Sequence, residues 1–392
     1  MRVVVGLSGG VDSAVTALLL KQRGHDVVGV HMINWDTVEE GTSSCPRSID
    51  EASATSIAAR IAIPLTTVNY VKEYWNEVFT DMLRGYARGR TIVPDIACNR
   101  RIKFAHFHRH AIERLGADAI ATGHYASTSR GDYGEVEDAD GRCRLLRGAD
   151  PLKDQTFFLC TLKEHQLRRV IFPLGSRTKK EVKAIAEANG LGDIANRPES
   201  MGVCFVGKRP DFGAFLDQYI TPRPGVVVDA ATGTVLGEHA GIHNFTIGKR
   251  LHMKTPSHLG YFITGVDAEN GVVTAAKGSH EGALFACRFV VSPPEWVAGE
   301  PPSTSTSLTC RIQRTHSPIE CRLETRGDGL VDVVPRLPLR AVAPGQMCVF
   351  YAGAECLGGA EIERVEETLE RKDSERRKDE GTNGGERKMM FC

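Results

Sequence analysis

From Met1 to about Gly207, short runs of β-branched and apolar residues alternate with stretches whose apolar positions recur at helical spacing. That is the pattern of a mostly parallel sheet with helices on both faces. Arg2 to Leu7 reads as a strand, Ser13 to Gln22 as a helix stopped by Gly24, and Val27, Val28 and Val30 as a second strand. Pro64 to Val68 and Asp118 to Thr122 read as further strands, and Phe104 to Leu115 as a helix closed by Gly116. After Gly207 the texture shifts to short segments broken by Gly and Pro, such as Pro222 to Gly225 and Asp229 to Gly233, which predicts a small middle domain over 208–277. Beyond it, Leu308, Cys310 and Ile312 alternate with polar neighbours, as do Val331 and Val333 and then Cys348 and Phe350. Strands of that length separated by turn residues predict a compact C-terminal β-barrel over 278–365. From about Glu366 charges of both signs dominate until Met389, so 366–392 is expected to be a disordered charged tail.

Composition narrows the class without naming a substrate. A chain of 392 residues is too long for one ordinary core, and 41% hydrophobic with 25% charged residues excludes collagenous, disordered and membrane-bundle classes. No window approaches the run of roughly 18 to 20 apolar residues that a bilayer span needs, so no membrane partner is expected. Strand-like Val3 to Val5 comes so early that any import signal is expected to be short, internal or already removed. Basic and acidic residues balance at 49 each, which excludes nucleic-acid binding by bulk charge and leaves local basic patches. The eleven cysteines are scattered, with no C-x-x-C pair and no zinc-type spacing, as expected for reduced thiols that mostly fill apolar space.

The stretch Gly6, Leu7, Ser8, Gly9, Gly10, Val11, Asp12, Ser13 lies between the first strand and the first helix. Its glycines let several N–H groups face one concavity, and the helix adds its positive end, so it predicts a phosphate or pyrophosphate seat. It lacks the G-K-[ST] ending of a Walker A loop, with no lysine in the loop to span the phosphates, and it is not the dinucleotide G-x-G-x-x-G. Hydroxyls at Ser8 and Ser13 with the Asp12 carboxylate suit pyrophosphate oxygens and Mg²⁺. An ordinary glycine turn with Asp12 as a helix cap is the bland competitor. Ser-Gly-Gly-x-Asp-Ser after a first strand resembles the loop of the N-type ATP pyrophosphatases, which activate a carbonyl oxygen by adenylation; the fold alone does not choose among their substrates.

Two cysteines stand out by context. Cys98 follows Val93-Pro94-Asp95-Ile96-Ala97, where Pro94 marks a loop, and helical pattern is expected to begin shortly after the thiol. With Arg100, Arg101 and Lys103 at hand its thiolate is expected to be favoured. Cys204 lies in Glu199 to Gly207, entered through Gly202 and followed by Lys208 and Arg209. Beside an adenylating loop, two separated thiols suit sulfur delivery, since a persulfide on one can be resolved by the other. Structural cysteines at both sites are the competing reading. Tyr70, Trp75 and Phe79 read as packing residues rather than base-stacking platforms. His124 and Tyr125 read equally as nucleotide contacts or as a half-buried strand end. Lys249, Arg250, Arg223, Lys208 and Arg209 suggest a basic surface, with solvated charge as the default.

Over about residues 1 to 365 the chain resembles the tRNA-specific 2-thiouridylases, the MnmA family. The resemblance rests on GLSGGVDS at 6–13, PDIACN with IKF at 94–104, ATGHYA at 121–126, KDQTFFL at 153–159, ESMGVCFVG at 199–207 and FTIGKR at 245–250. KEYWNEVF at 72–79 and PRPG at 222–225 are similar to the eukaryotic mitochondrial members. The resemblance implies ATP phosphates on Gly6 to Ser13, with Met32 and Gly123 lining the adenosine pocket. It implies Asp95 and Cys98 beside the target uracil, a persulfide on Cys204, and tRNA contacts from Val93, Pro94, Lys153, Asp154, Gln155 and Arg314. Val93 stands where the family usually has Asn, so no side-chain contact carries over there, and the barrel segment around Arg314 matches only loosely. The implied reaction is 2-thiolation of the wobble uridine through an adenylated intermediate and a persulfide, releasing AMP and pyrophosphate. Implied partners are ATP with Mg²⁺, the tRNA anticodon loop, a persulfide-donating relay protein and a thiol reductant. The implied compartment is the mitochondrial matrix, or the cytoplasm if the source is bacterial. An amidotransferase-type synthetase acting on a small molecule, and a non-catalytic tRNA-binding or sulfur-carrier protein with a vestigial loop, are the alternatives from other classes.

Overall fold

The computed structural model describes residues 1–35, 46–136, 141–198, 211–253 and 258–372. Its first layer is a five-stranded, all-parallel sheet in the order β3-β2-β1-β4-β7, formed by β1 (Arg2–Gly6), β2 (Asp26–Ile33), β3 (Leu65–Asn69), β4 (Ala119–Ala121) and β7 (Val170–Ile171). Alternation along β1 sets the two faces: Val4 enters one core with Val30 and Ile120, while Val3 and Val5 enter the other with Val27 and Ala121. Helices α1 (Val11–Gln22), α2 (Pro46–Arg60) and α3 (Lys179–Ala188) contribute Leu20, Ile57 and Val182 to the second core. The first core is covered by helical runs 71–87 and 94–115. Strands β2 and β3 lie on one side of β1, and β4 and β7 on the other. The carboxyl end of β1 is therefore a topological switch point, the place where such sheets hold ligands.

Two departures from the sequence reading matter for the site. The helix expected from Phe104 begins at Pro94, so Pro94 opens a helix rather than marking a loop. Proline is tolerated there because the first-turn N–H it lacks would be unpaired anyway. The run continues through Cys98–Phe107, in wide π-type turns, to Leu115.

The hairpin β5 (Ala126–Thr128) and β6 (Leu145–Arg147) leaves the parallel sheet and pairs with the C-terminal region. The middle segment is a four-stranded sheet of β8 (Gly225–Asp229), β9 (Val235–His239), β10 (Tyr261–Asp267) and β11 (Val272–Lys277), with its own small core around Val227, Ile263 and Val273. Next come β12 (Phe285–Val291), β13 (Thr309–Arg311), β14 (Ile319–Thr325), β15 (Val331–Pro335), β16 (Met347–Ala352) and β17 (Glu355–Thr368). They pair in the order β12-β15-β14-β13-β16-β17, and β17 returns to β12, closing a six-stranded barrel. The expected start of a disordered tail at Glu366 is corrected by this closure. Ala286 pairs with Thr368 and Arg288 with Glu367, while Arg326 reaches Glu366 at 2.9 Å. Ladder bonds and an ion pair hold a stretch too polar to read as a strand. Residues 373–392 lie outside the described set.

Among the described residues, no helix is long and apolar enough to cross a membrane.

Candidate active site

The glycine loop sits at the carboxyl end of β1, and its own polar groups shape it. Ser13 Oγ donates to the Gly10 carbonyl at 2.9 Å and accepts from the Ser8 N–H at 3.2 Å. Leu7 is fully buried, its N–H donating to the Val30 carbonyl at 2.8 Å, and Val11 is buried at the first turn of α1. Gly9 has φ +87°, and a Cβ on it would lie 2.7 Å from the Asp50 carbonyl oxygen, so only glycine fits where α2 crosses the loop. Ser53 Oγ of α2 donates to the Gly9 carbonyl at 2.8 Å, and Arg197 in turn donates to Ser53 Oγ at 2.5 Å. Burial pushes the carboxyl of Asp50 upward despite His31 and Arg197 nearby.

The ATGHYA segment packs directly against this loop. A Cβ on Gly123 would stand 2.8 Å from both the Asp12 carbonyl carbon and the Ser13 nitrogen, so the absent side chain lets β4 touch the loop backbone. A Cβ on Gly6 would lie 3.3 Å from the Met32 methyl, placing Met32 beside the start of the loop. The residues assigned to the nucleotide by resemblance thus share one sheet edge.

Asp12 is held by two partners that sequence reasoning missed. The Tyr125 hydroxyl donates to its Oδ1 at 2.8 Å, and Lys179 Nζ reaches both carboxylate oxygens at 2.8 Å. The loop itself has no lysine, as its sequence says, yet α3 delivers one from 167 positions away. Lys179 is only 12% exposed, and the Thr178 capping box fixes the helix start that carries it. The capping pattern was legible in the sequence; its aim at Asp12 was not.

Asp95 and Cys98 lie one turn apart in the helical run that starts at Pro94. Cys98 is fully buried. The cations expected to favour its thiolate are engaged elsewhere, Arg100 with Glu295 and Arg101 with Asp81. Val93 and Asp95 are half-buried, and Pro94 is buried. Cys204 falls outside the described residues, as do Lys208 and Arg209. All eight described cysteines are buried, and burial pushes Cys160 up to about 12, in keeping with an inert filler thiol at that position.

The Lys153-Asp154-Gln155 segment divides into roles. Lys153 and Gln155 are half-buried. Asp154 is 1% exposed, bonded to Arg147 at 3.1 Å, Arg311 at 3.2 Å and the Thr156 hydroxyl at 2.8 Å. A carboxylate enclosed by two guanidinium groups joins the segment, whose three residues the resemblance assigns to tRNA, to the barrel. Arg314 donates to the Leu152 carbonyl, which brings that barrel residue against the same segment.

The remaining conspicuous side chains follow their bland readings with one exception. Tyr70 and Phe79 are buried, but Trp75 is 39% exposed and stacks on buried Trp35 at 5.8 Å. His124 is buried and bonded to Thr122 at 2.8 Å. Arg223, Lys249 and Arg250 are exposed. Among the described residues, no group of three or more His, Cys, Asp or Glu could hold a metal. The loop offers one carboxylate, Asp12, which fits a Mg²⁺ carried mainly by nucleotide phosphates.

Comparison with known proteins agrees along the whole length. Family models described as the tRNA methyl transferase HUP domain, PRC-barrel domain and aminomethyltransferase β-barrel domain match residues 1–208, 213–277 and 287–362. The chain is 53% identical over 375 residues to a probable mitochondrial tRNA-specific 2-thiouridylase 1 of Caenorhabditis elegans, covering 94% of this chain and 100% of that protein. It is 42% identical to the mitochondrial tRNA-specific 2-thiouridylase 1 of Homo sapiens, over 93% of this chain and 90% of the relative. With the tRNA-specific 2-thiouridylase MnmA of Geobacillus thermodenitrificans it shares 41% identity, over 93% and 95%. The model descriptions mention methyl transfer; these relatives, matched almost end to end, are thiouridylases.

Proposed function

Because the chain belongs to the tRNA-specific 2-thiouridylase family, we propose that it is an ATP-dependent tRNA-uridine 2-sulfurtransferase that thiolates the wobble uridine at C2. The observation that carries the ATP-dependent part is the closed loop at the β1 edge: Gly9 and Gly123 admit close backbone approach, and Lys179 supplies the cation the loop lacks. Backbone N–H groups at the start of α1 suit phosphate oxygens, and a lysine held on Asp12 can share its charge with them. Bound Mg²⁺ would neutralise phosphate charge, with Asp12 as its one protein carboxylate.

The chemistry then follows from the groups at hand. The uridine O2 attacks the α-phosphorus of ATP, pyrophosphate leaves, and C2 gains AMP as a leaving group. The terminal sulfur of a Cys204 persulfide attacks C2, directly or after Cys98 has liberated it as sulfide, and AMP departs with the original oxygen. Attack of the Cys98 thiolate on Cys204 Sγ leaves a Cys98–Cys204 disulfide, which a thiol reductant returns to two thiols. Cys98 is buried, so this reading requires the base to be extruded from its stack and the thiol to be uncovered when tRNA docks. In this reading Asp95, one turn before Cys98, is the polar group that holds the extruded uracil. Lys153, Gln155 and Arg314 are the tRNA contacts of this reading, with a persulfide-donating relay protein as sulfur source. The names of the animal relatives support a mitochondrial location.

The test is direct. Purified protein, ATP, Mg²⁺, a persulfide source and unmodified tRNA should yield 2-thiouridine with tRNA-dependent pyrophosphate release. Cys98→Ser and Cys204→Ser should each abolish thiolation while leaving tRNA affinity nearly intact. Robust 2-thiouridine from either variant would overturn the cysteine assignment, and pyrophosphate release with a small metabolite alone would overturn the substrate.

A further inference from the structure

The segment 150–155 reaches Asp12 of the glycine loop by two separate routes. On the first, Gln155 grips Tyr125 from both sides: its N–H donates to the Tyr125 carbonyl at 2.9 Å, and its side-chain oxygen accepts the Tyr125 N–H at 2.9 Å. The Tyr125 hydroxyl then donates to Asp12 Oδ1. On the second, the Asp150 carboxylate accepts the Lys153 N–H at 3.2 Å through one oxygen and the Lys179 N–H at 3.0 Å through the other. The Lys179 ammonium closes the ring on Asp12. Below this ring Asp154 is anchored to Arg311 of the barrel, so the segment has a fixed base. Displacement at Lys153 or Gln155 must pass into the two groups that orient Asp12.

Building on the thiouridylase reading, we propose that this ring couples the tRNA site to the ATP site, with Tyr125 as the positioning residue. When tRNA engages Lys153 and Gln155 it immobilises the 150–155 segment. That orders Tyr125 and Lys179 on Asp12 before nucleotide arrives, so nucleotide bears less of the ordering cost. Linkage makes the effect reciprocal: bound nucleotide tightens tRNA binding by the same factor. The contacts on Asp12 are already made in the free chain, so the consequence is that tRNA stiffens a seat whose shape is formed. Tyr125 is buried, and its phenylalanine variant keeps the ring while removing only the hydroxyl.

The test is a thermodynamic cycle on the full chain. The affinity of α,β-methylene ATP, whose methylene bridge prevents transfer of its adenylyl group to uridine, is measured by calorimetry with and without unmodified tRNA. Wild-type protein should bind the analogue about ten-fold more tightly with tRNA present, within the usual range of coupling. Tyr125→Phe should reduce that factor to about two or less, with its affinity for tRNA alone within about three-fold of wild type. Gln155→Ala cuts the same route at its other end and serves if Tyr125→Phe does not fold. Tyr70→Phe, whose hydroxyl bonds the His106 carbonyl outside the ring, should keep the full factor. Undiminished coupling in both ring variants, or no coupling in wild type, would overturn the proposal. Absence of 2-thiouridine from wild type with the coupling cycle intact would instead refute the thiolation reading and still support the ring.

Discussion

Replacing Gly123 with alanine is the sharpest probe of the nucleotide seat, because the added methyl has nowhere to go. It would lie 2.8 Å from two backbone atoms of the loop, the Asp12 carbonyl carbon and the Ser13 nitrogen. Ordinary carbon contacts begin at about 3.5 Å, so β4 and the loop must part by roughly 0.7 Å. Backbone atoms cannot swing aside as a flexible side chain does, and overpacking of this kind costs about 1–3 kcal/mol. The shift falls on the atoms meant to receive the phosphates, where tolerance is about 0.5 Å and a 1 Å error costs on the order of 100-fold in rate. Gly123→Ala should therefore lower kcat/KM for ATP by about 10- to 100-fold, with tRNA affinity close to wild type. Pyrophosphate release at saturating tRNA over a range of ATP concentrations measures it. Gly192→Ala, where a Cβ would meet nothing closer than 3.8 Å, is the matched control. A Gly123→Ala protein with wild-type ATP kinetics would show that β4 does not shape the seat.

Three further outcomes follow from the packing. Arg311→Met leaves the buried Asp154 carboxylate with Arg147 as its remaining guanidinium, so unfolding in urea should show a loss of about 3 kcal/mol; a loss below about 1 would mean the barrel does not anchor the segment. Truncation after Val365 removes the pairs to Ala286 and Arg288 and the Glu366 partner of Arg326, and should cost about 2–3 kcal/mol and lower Tm; an unchanged melt would refute barrel closure beyond residue 365. Burial, reinforced by Lys103, holds His124 well below its ordinary value of 6.5, so protons bind the unfolded chain first. The stability of this site is whole above that value and falls by about 1.4 kcal/mol per pH unit below it. Denaturation of wild type and His124→Asn at pH values about one unit either side should show a smaller acid loss in the variant; equal losses would mean that His124 titrates normally.

The parallel sheet was legible in the sequence because its cues are local. Strand residues alternate or run apolar, and glycines at 24 and 116 close the helices that precede β2 and β4. The glycine loop was legible for the same reason: its turn, its hydroxyls and its helix start lie within eight consecutive positions. The helix beginning at Pro94 was misread because proline carries opposite meanings before and inside a first turn, and only the following hydrogen bonds decide between them. The strand end at 366–368 was misread because its charges lack the apolar alternation that marks a strand. Its partners, β12 and Arg326, are about 40 to 80 positions away.

What the chain specified by itself was therefore the order of elements, the glycine loop and the two cysteine contexts, each set by neighbours along the backbone. Tertiary structure alone decided that Lys179 reaches Asp12 of the loop, that Tyr125 and Gln155 join the 150–155 segment to Asp12, that Asp154 turns inward to Arg311, and that Cys98 lies buried. The physical reason is that these are pairings of single charges and hydroxyls across 30 to 167 positions. A lone lysine or aspartate reads the same in sequence whether solvated or buried, and only packing fixes which partner it meets.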